Sequence, residues 1–193
     1  IEREPAFAEA YYKLGISLGK VGKPNDGILT LKKALTLDPQ NASIYNALGA
    51  MYGMLQQYEQ AIEQFKKAID IDPQLTLAYN NLGILFGKLG DHKRAVEVLK
   101  IAVQVDPSSA ESQGALGVAY AMAGQPQNAI KPLQEAVRID PNYAKAHFNL
   151  GITYLWLGDF LRAKEQYQIL KNLDSEMAQD LLIELQSVEG VSE

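Results

Sequence analysis

The sequence predicts an all-α protein, a solenoid of five similar helical hairpins closed by one further C-terminal helix. Three observations predict it: glycine recurs every 34 residues, apolar residues within each interval fall at helical spacing, and an Asp-Pro pair ends four of the five intervals. The recurring glycines are Gly15, Gly49, Gly83, Gly117 and Gly151. A fixed period of this size is typical of stacked repeats and not of a globular fold.

Each interval is predicted to contain two helices joined by a tight turn. Repeat positions are counted from Ala8, Ala42, Thr76, Ala110 and Ala144. In the second repeat, Tyr45 and Leu48 share one face of the first helix, and Ala61 and Phe65 share one face of the second. The pair Gly90-Asp91 in the third repeat is typical of a C-terminal helix glycine followed by an N-cap. The Asp-Pro pair is predicted to end the second helix in four repeats, because a residue before proline avoids helical geometry.

Glycine at repeat position 8 predicts a close crossing of the two helices in each hairpin. A glycine inside a helix costs about 1 kcal/mol relative to alanine, so its recurrence requires a steric reason. Small residues at position 20 accompany it: Gly27, Ala61, Ala95, Ala129 and Ala163. We therefore expect the two backbones to approach each other at positions 8 and 20.

The period also sets the predicted boundaries of one continuous solenoid domain. The five repeats span residues 8–41, 42–75, 76–109, 110–143 and 144–177. Residues 1–7 are interpreted as the remnant of a preceding repeat, since Pro5 lies 34 residues before Pro39, and the chain is interpreted as a fragment. Residues 178–193 are predicted to form a capping helix and tail, because Leu181 and Leu185 continue a helical spacing.

The period and these positions together resemble the tetratricopeptide repeat family. That family has small residues at positions 8, 20 and 27, apolar or aromatic residues at 4, 7, 11 and 24, and proline at 32. Position 24 is here Leu31, Phe65, Leu99, Leu133 and Tyr167. Gln113 and His147 depart from the aromatic at position 4, and Gly27 replaces alanine at position 20. The resemblance, over residues 8–177, implies a right-handed superhelix whose concave groove binds a peptide segment of a partner.

Composition argues against several function classes. The chain has no cysteine, so it has neither disulfides nor thiolate metal sites. Its net charge of -5 argues against nucleic acid as the main ligand. No apolar run reaches membrane-spanning length, so we expect no direct membrane insertion. The cytoplasm is the favoured location, and a signal peptide or membrane anchor stays an alternative because the start resembles a truncation.

The five first helices are poor in charge and carry the candidate ligand-binding surface. They hold four basic and two acidic residues, so with a chain total of -5 the remaining residues sum to -7. A helix that is apolar nearly all round is either buried on both sides or presents one side to a ligand. In the resembled family, positions 5, 6, 9 and 13 line the groove. The corresponding candidates are Tyr12, Ile16, Lys20, Asn46, Ala50, Met54, Asn80, Asn81, Ile84, Lys88, Val118, Met122, Phe148, Asn149, Ile152 and Trp156.

Two interpretations of this surface stay open. Its apolar members either contact an apolar or amphipathic segment of a partner protein, or pack neighbouring first helices together at position 9. Its asparagines either read a peptide backbone, since an amide both donates and accepts, or are ordinary solvated residues. Some family members hold a C-terminal carboxylate with lysines at these positions. That set of lysines is missing here, so chaperone tails are not the expected ligands.

The sequence predicts no catalytic site, no cofactor and no metal site. His92 and His147 fall in a turn and in a packing position, away from any catalytic partner. Gly15 to Lys20 and Gly83 to Lys88 lack the spacing and the Ser or Thr of a phosphate loop. We therefore interpret the chain as a non-catalytic protein-protein interaction scaffold that binds a peptide in its groove. The alternatives are the substrate-recognition arm of a larger enzyme, such as a glycosyltransferase, and a self-assembling scaffold.

Overall fold

The computed structural model describes residues 5–189, which form eleven α-helices and no strand. The helices are α1 (Pro5–Lys20), α2 (Pro24–Leu37), α3 (Ala42–Met54), α4 (Tyr58–Ile71), α5 (Thr76–Lys88), α6 (His92–Val105), α7 (Ala110–Met122), α8 (Pro126–Ile139), α9 (Ala144–Trp156), α10 (Phe160–Leu173) and α11 (Ser175–Glu189). The predicted all-α class is confirmed, with five helical hairpins followed by one single helix.

The helix starts follow the 34-residue period. First helices begin at Ala42, Thr76, Ala110 and Ala144, and second helices begin at Pro24, Tyr58, His92, Pro126 and Phe160. The helix α1 differs, because it begins at Pro5 and not at Ala8. Proline is well tolerated in a first helical turn, whereas Pro39 lies in the turn after α2. Residues 1–4 lie outside the described part of the chain, so the assignment of residues 1–7 to a preceding repeat stays a prediction.

Each hairpin turns through one residue in the left-handed conformation. Four of these residues are glycines with φ between 72° and 78°: Gly22, Gly90, Gly124 and Gly158. In the hairpin α3–α4 the residue is Gln56, with φ 59°. The N–H of Gly90 donates to the Gly87 carbonyl (3.0 Å), and the N–H of Asp91 donates to the Phe86 carbonyl (2.9 Å). The other four turns repeat this pair of bonds, which satisfies carbonyls that a helix end leaves unpaired.

Glycine at position 8 makes room for a side chain of the second helix. A Cβ atom added there would lie 2.4–2.6 Å from a side-chain atom in three hairpins: Gly15 against Leu31, Gly49 against Phe65, and Gly117 against Leu133. In these three hairpins the occupying side chain is that of position 24. The carbonyl of position 20 lies 3.3 Å from the added Cβ in the first and fourth hairpins. The predicted close crossing is confirmed in the first and fourth hairpins, and in three hairpins the side chain at position 24 fills the space that glycine leaves.

The last hairpin is closed by α11. A Cβ atom on Gly151 would lie 2.6 Å from Leu181 of α11, whereas Tyr167 at position 24 is only half-buried. Leu181 and Leu185 are buried against α9 and α10. The helix α11 begins directly after α10, because Asp174 Oδ1 accepts from the N–H groups of Glu176 (3.1 Å) and Met177 (3.0 Å). Residues 190–193, at the end of the predicted capping helix and tail, lie outside the described residues.

The chain forms two compact units that divide between Leu85 and Phe86. The core of the first unit contains Leu31, Ile44 and Leu48. The core of the second unit contains Leu133, Leu150, Leu155, Leu170, Leu181 and Leu185. The division falls inside α5, and not in a linker of the kind that separates most domains.

Candidate functional site

Repeat position 13 places large side chains on the surface at the ends of the first helices. Met54, Met122 and Trp156 are 52%, 54% and 57% exposed, and Lys20 and Lys88 are also exposed. Large apolar side chains do not contribute to a core when they are this exposed, and where they cluster they mark interaction sites. Position 13 therefore supplies Met54 to the surface of the first unit, and Met122 and Trp156 to the surface of the second.

The side chains at position 9 are partly buried and partly accessible to solvent. Ile16, Ala50, Val118 and Ile152 are half-buried, and Ile84 is 49% exposed. Side chains of this kind pack against neighbouring helices with one edge and face solvent with the other. Burial of this degree is compatible with both interpretations of position 9, which are packing between first helices and contact with a partner segment.

Two of the four candidate asparagines are buried, and the other two are half-buried. Asn46 and Asn80 are 6% and 2% exposed, so in this conformation they do not reach a ligand. Asn81 donates through Nδ2 to Asn46 Oδ1 (2.8 Å), which links α3 to α5 within the first unit. Asn149 donates to the Lys145 carbonyl of its own helix (2.7 Å). Asn46 and Asn80 are therefore not part of the exposed surface of the first helices.

A cavity of about 420 Å³ lies between α9 and α11. Phe148, Ile152 and Trp156 of α9 form one side, at positions 5, 9 and 13 of the last repeat. The residues of α11 that form the other side are Asp180, Ile183 and Glu184. The structure thus brings three predicted site residues together and adds three that the sequence interpretation did not include.

A second cavity, of about 800 Å³, lies in the second unit beside the ends of α6 and α7. It includes Met122, and its charged residues are of both signs: Asp91, Glu97, Lys93 and Lys100. Lys100 Nζ lies 5.7 Å from the centroid of the Tyr120 ring, which also lines this cavity. The second cavity is therefore larger and more polar than the one beside Trp156.

The described part of the chain contains neither a group of metal-ligating side chains nor a membrane-spanning helix. Over residues 5–189 no three His, Asp or Glu side chains are grouped so as to hold a metal ion. Burial, with Glu9 nearby, raises the pKa of the Tyr12 hydroxyl, so this group stays protonated at neutral pH. No helix within the described ranges has the length and apolar character needed to span a membrane.

Five family models match successive parts of the chain. The model described as TPR repeat matches residues 54–90, and models described as tetratricopeptide repeat match residues 8–41, 30–63, 80–144 and 120–182. Together they cover residues 8–182 without a gap. The chain belongs to the tetratricopeptide repeat family.

Solved structures of tetratricopeptide repeat proteins show the same fold. The thermophilic TPR protein TTC0263 of Thermus thermophilus is 22% identical, with a TM-score of 0.76 over 93% of this chain and 99% of that one. The pilF protein of Pseudomonas aeruginosa is 19% identical, with a TM-score of 0.81 over 95% and 92%. The protein YrrB, described as a TPR protein with an unusual peptide-binding site, is 25% identical, with a TM-score of 0.67 over 88% and 89%. No curated protein sequence matches the chain.

The two departures from the tetratricopeptide pattern at position 4 have a structural reason. Tyr45, the expected aromatic, donates to the carbonyl of the proline six residues before it (3.3 Å). Gln113 makes the equivalent bond with Nε2 (3.4 Å), and His147 makes it with its own Nε2 (3.0 Å). His147 Nδ1 also lies 2.8 Å from Gln166 Oε1, and the ring is 5% exposed. His147 is therefore part of the packing between repeats, as the sequence predicts.

Asp180, Ile183 and Glu184 are not among the residues that the sequence predicted for the site, although the helical spacing of α11 places them together. Leu181 and Leu185 define the buried side of this helix. Residues 180, 183 and 184 lie together at i, i+3 and i+4 spacing on an adjoining strip of the helix surface. An Ile among carboxylates on that strip indicates a surface with both apolar and acidic character.

Proposed function

We propose that the chain is a non-catalytic scaffold that binds a peptide segment of a partner protein through the first-helix surface of its second unit. The core of this surface is Phe148, Ile152 and Trp156. Membership of the tetratricopeptide family supports a protein-protein interaction role in general. The observation that carries the finer proposal is the exposure of Trp156, which is 57% accessible and lines a cavity.

The chemistry of these three residues suits peptide recognition. An aromatic side chain offers a large, rigid contact area and loses little conformational entropy on binding. Phe148 and Ile152 are half-buried, so they are held in place before a ligand arrives. A surface preorganised in this way spends little of its binding free energy on ordering side chains.

Trp156 provides its own readout, because it is the only tryptophan of the chain. Peptides of about twelve residues would be selected from a random phage library on the purified chain. Each enriched peptide would then be titrated while the tryptophan emission is recorded. We expect a blue shift and saturable binding, because a ligand on this surface removes the indole from water.

Trp156→Ala tests the assignment by calorimetry, with Leu161→Ala as the matched control. Leu161 is 72% exposed on α10 and lies outside the cavity lining. We expect Trp156→Ala to weaken binding by roughly 2 kcal/mol, or about thirtyfold, as truncation of a buried aromatic anchor does. Leu161→Ala should leave affinity unchanged. Equal affinities for wild type and Trp156→Ala would reject this surface, and failure to enrich any peptide would reject the proposed function.

A further inference from the structure

We propose that the cavity between α9 and α11 selects peptide segments in which an aliphatic side chain lies next to an arginine or lysine. The inference rests on the proposed function and adds to it the chemistry of the partner. It is carried by the two sides of the cavity, which differ in character: α9 contributes only apolar residues, and α11 contributes two carboxylates and one isoleucine.

The α9 side fits an aliphatic side chain. Phe148, Ile152 and Trp156 are spaced four residues apart, so they follow one another along a single face of the helix. With Ile183 opposite, the lining offers four apolar residues to a guest side chain. Since apolar area removed from water contributes most of the binding energy of such sites, this side supplies affinity.

The α11 side fits a cation. Asp180 and Glu184 are both exposed and lie at i and i+4 spacing on the helix, an arrangement in which like charges repel. The lining contains no basic residue. A cationic side chain of a ligand would relieve the repulsion, and a guanidinium group would in addition stack on the indole of Trp156. An acidic segment would meet two carboxylates and no compensating cation.

The acidic side is held in a fixed position. Leu181 and Leu185, on the adjoining buried side of α11, are 0% and 2% exposed in the core of the second unit. Leu181 fits into the space above Gly151 of α9, and Asp174 caps the start of the helix. Asp180 and Glu184 therefore stand at a set distance from the apolar side, as selection between neighbouring side chains of a ligand requires.

The second cavity of this unit does not support an equally specific inference. Its lining includes Lys93 and Lys100 together with Asp91 and Glu97. Arg94, the neighbour of Lys93, already pairs with Asp91 (2.6 Å). Charges of both signs favour no one class of ligand, whereas the cavity beside Trp156 has one sign only.

The test compares peptide selections on the wild type and on the double variant Asp180→Asn with Glu184→Gln. The control is Asp70→Asn with Glu165→Gln, which changes net charge equally at two positions outside the cavity. On the wild type and the control we expect enriched peptides to carry Arg or Lys within a few residues of Leu, Ile or Val. On the double variant the basic residue should no longer be enriched.

Affinities of the enriched peptides then give the size of the effect. Tryptophan emission should show roughly tenfold weaker binding to the double variant, as expected for two partly exposed charge contacts, and the difference should shrink at high salt. Peptides that bind and shift the Trp156 emission, but show no enrichment of basic residues, would overturn this inference and leave the proposed function intact. If the wild type enriches no peptide at all, both are rejected.

Discussion

The regular hairpins and the last hairpin solve the same packing problem with different parts of the chain. In the hairpins α1–α2, α3–α4 and α7–α8, the side chain at position 24 fills the space beside the glycine at position 8. In α9–α10 the equivalent space beside Gly151 is filled by Leu181, from a helix outside the repeat. The comparison shows that α11 is integrated into the last repeat and does more than cover its surface.

Because α11 follows the last hairpin in place of another repeat, the surface changes as well as the core. A regular hairpin is followed by another first helix, which is apolar and poor in charge. The last hairpin is followed by α11, whose exposed side carries Asp180 and Glu184. The cavity beside Trp156 is lined by these carboxylates because α11 replaces a repeat at this position.

The largest expected effect tests whether α11 is part of the core. Leu181→Ala should lower the free energy of unfolding by about 3 kcal/mol, because a fully buried leucine leaves a cavity when it is truncated. Leu133→Ala, in the regular hairpin α7–α8, should cost a similar amount, since Leu133 is also 0% exposed. Urea unfolding followed by circular dichroism measures both. A loss below about 1 kcal/mol for Leu181→Ala alone would mean that the last hairpin is stable without α11.

A second prediction concerns the bond that replaces the usual tyrosine contact in the last repeat. His147→Leu should cost about 2 kcal/mol, because it leaves the Pro141 carbonyl (3.0 Å) and the buried amide of Gln166 (2.8 Å) without their partner. His147→Gln should recover much of this loss, because Gln113 already makes the equivalent bond to a proline carbonyl in the fourth repeat. Thermal unfolding of both variants decides the matter. Equal losses would show that the shape of the ring, and not its hydrogen bonds, stabilises this position.

The third prediction compares the glycines themselves. Gly117→Ala should destabilise the fold by about 1–2 kcal/mol, since overpacking outweighs the gain in helix propensity. Gly151→Ala should cost less, because its nearest neighbour is a terminal methyl of Leu181, whereas the nearest neighbour of Gly117 is the branch carbon of Leu133. Gly53→Ala is the control, as its Cβ would meet nothing within 4 Å. It should stabilise α3, and the same sign for all three variants would contradict the packing role of position 8.

The sequence predicted the repeating part of the structure well, because the same pattern of small and apolar residues recurs in five successive intervals. The helix starts after α1 and the buried side chain at position 24 of the first four repeats follow from it. The period gives no alignment for α11, so the sequence did not reveal that Leu181 takes the place of Tyr167. Helical spacing identifies a face of a helix but does not show how deeply neighbouring helices cover it. The sequence therefore did not reveal that Asn46 and Asn80, which were expected to contact a ligand, are buried. A cavity formed by two helices depends on their tertiary placement, and only the structure shows it.

The smallest expected effect comes from the turn of α3–α4, the one described hairpin that lacks a turn glycine. Gln56 adopts φ 59°, a conformation that costs a residue with a side chain about 1 kcal/mol, so Gln56→Gly should stabilise the fold by about 0.5–1 kcal/mol. Gly124→Ala is the mirror experiment, because Gly124 has φ 72° and an added Cβ would meet nothing within 4 Å. Its cost therefore reports backbone strain alone. If the urea midpoints of Gln56→Gly and Gly124→Ala move in opposite directions, the backbone conformation of the turn residue determines its effect on stability. If Gln56→Gly loses stability instead, the Gln56 side chain contributes more than its backbone conformation costs.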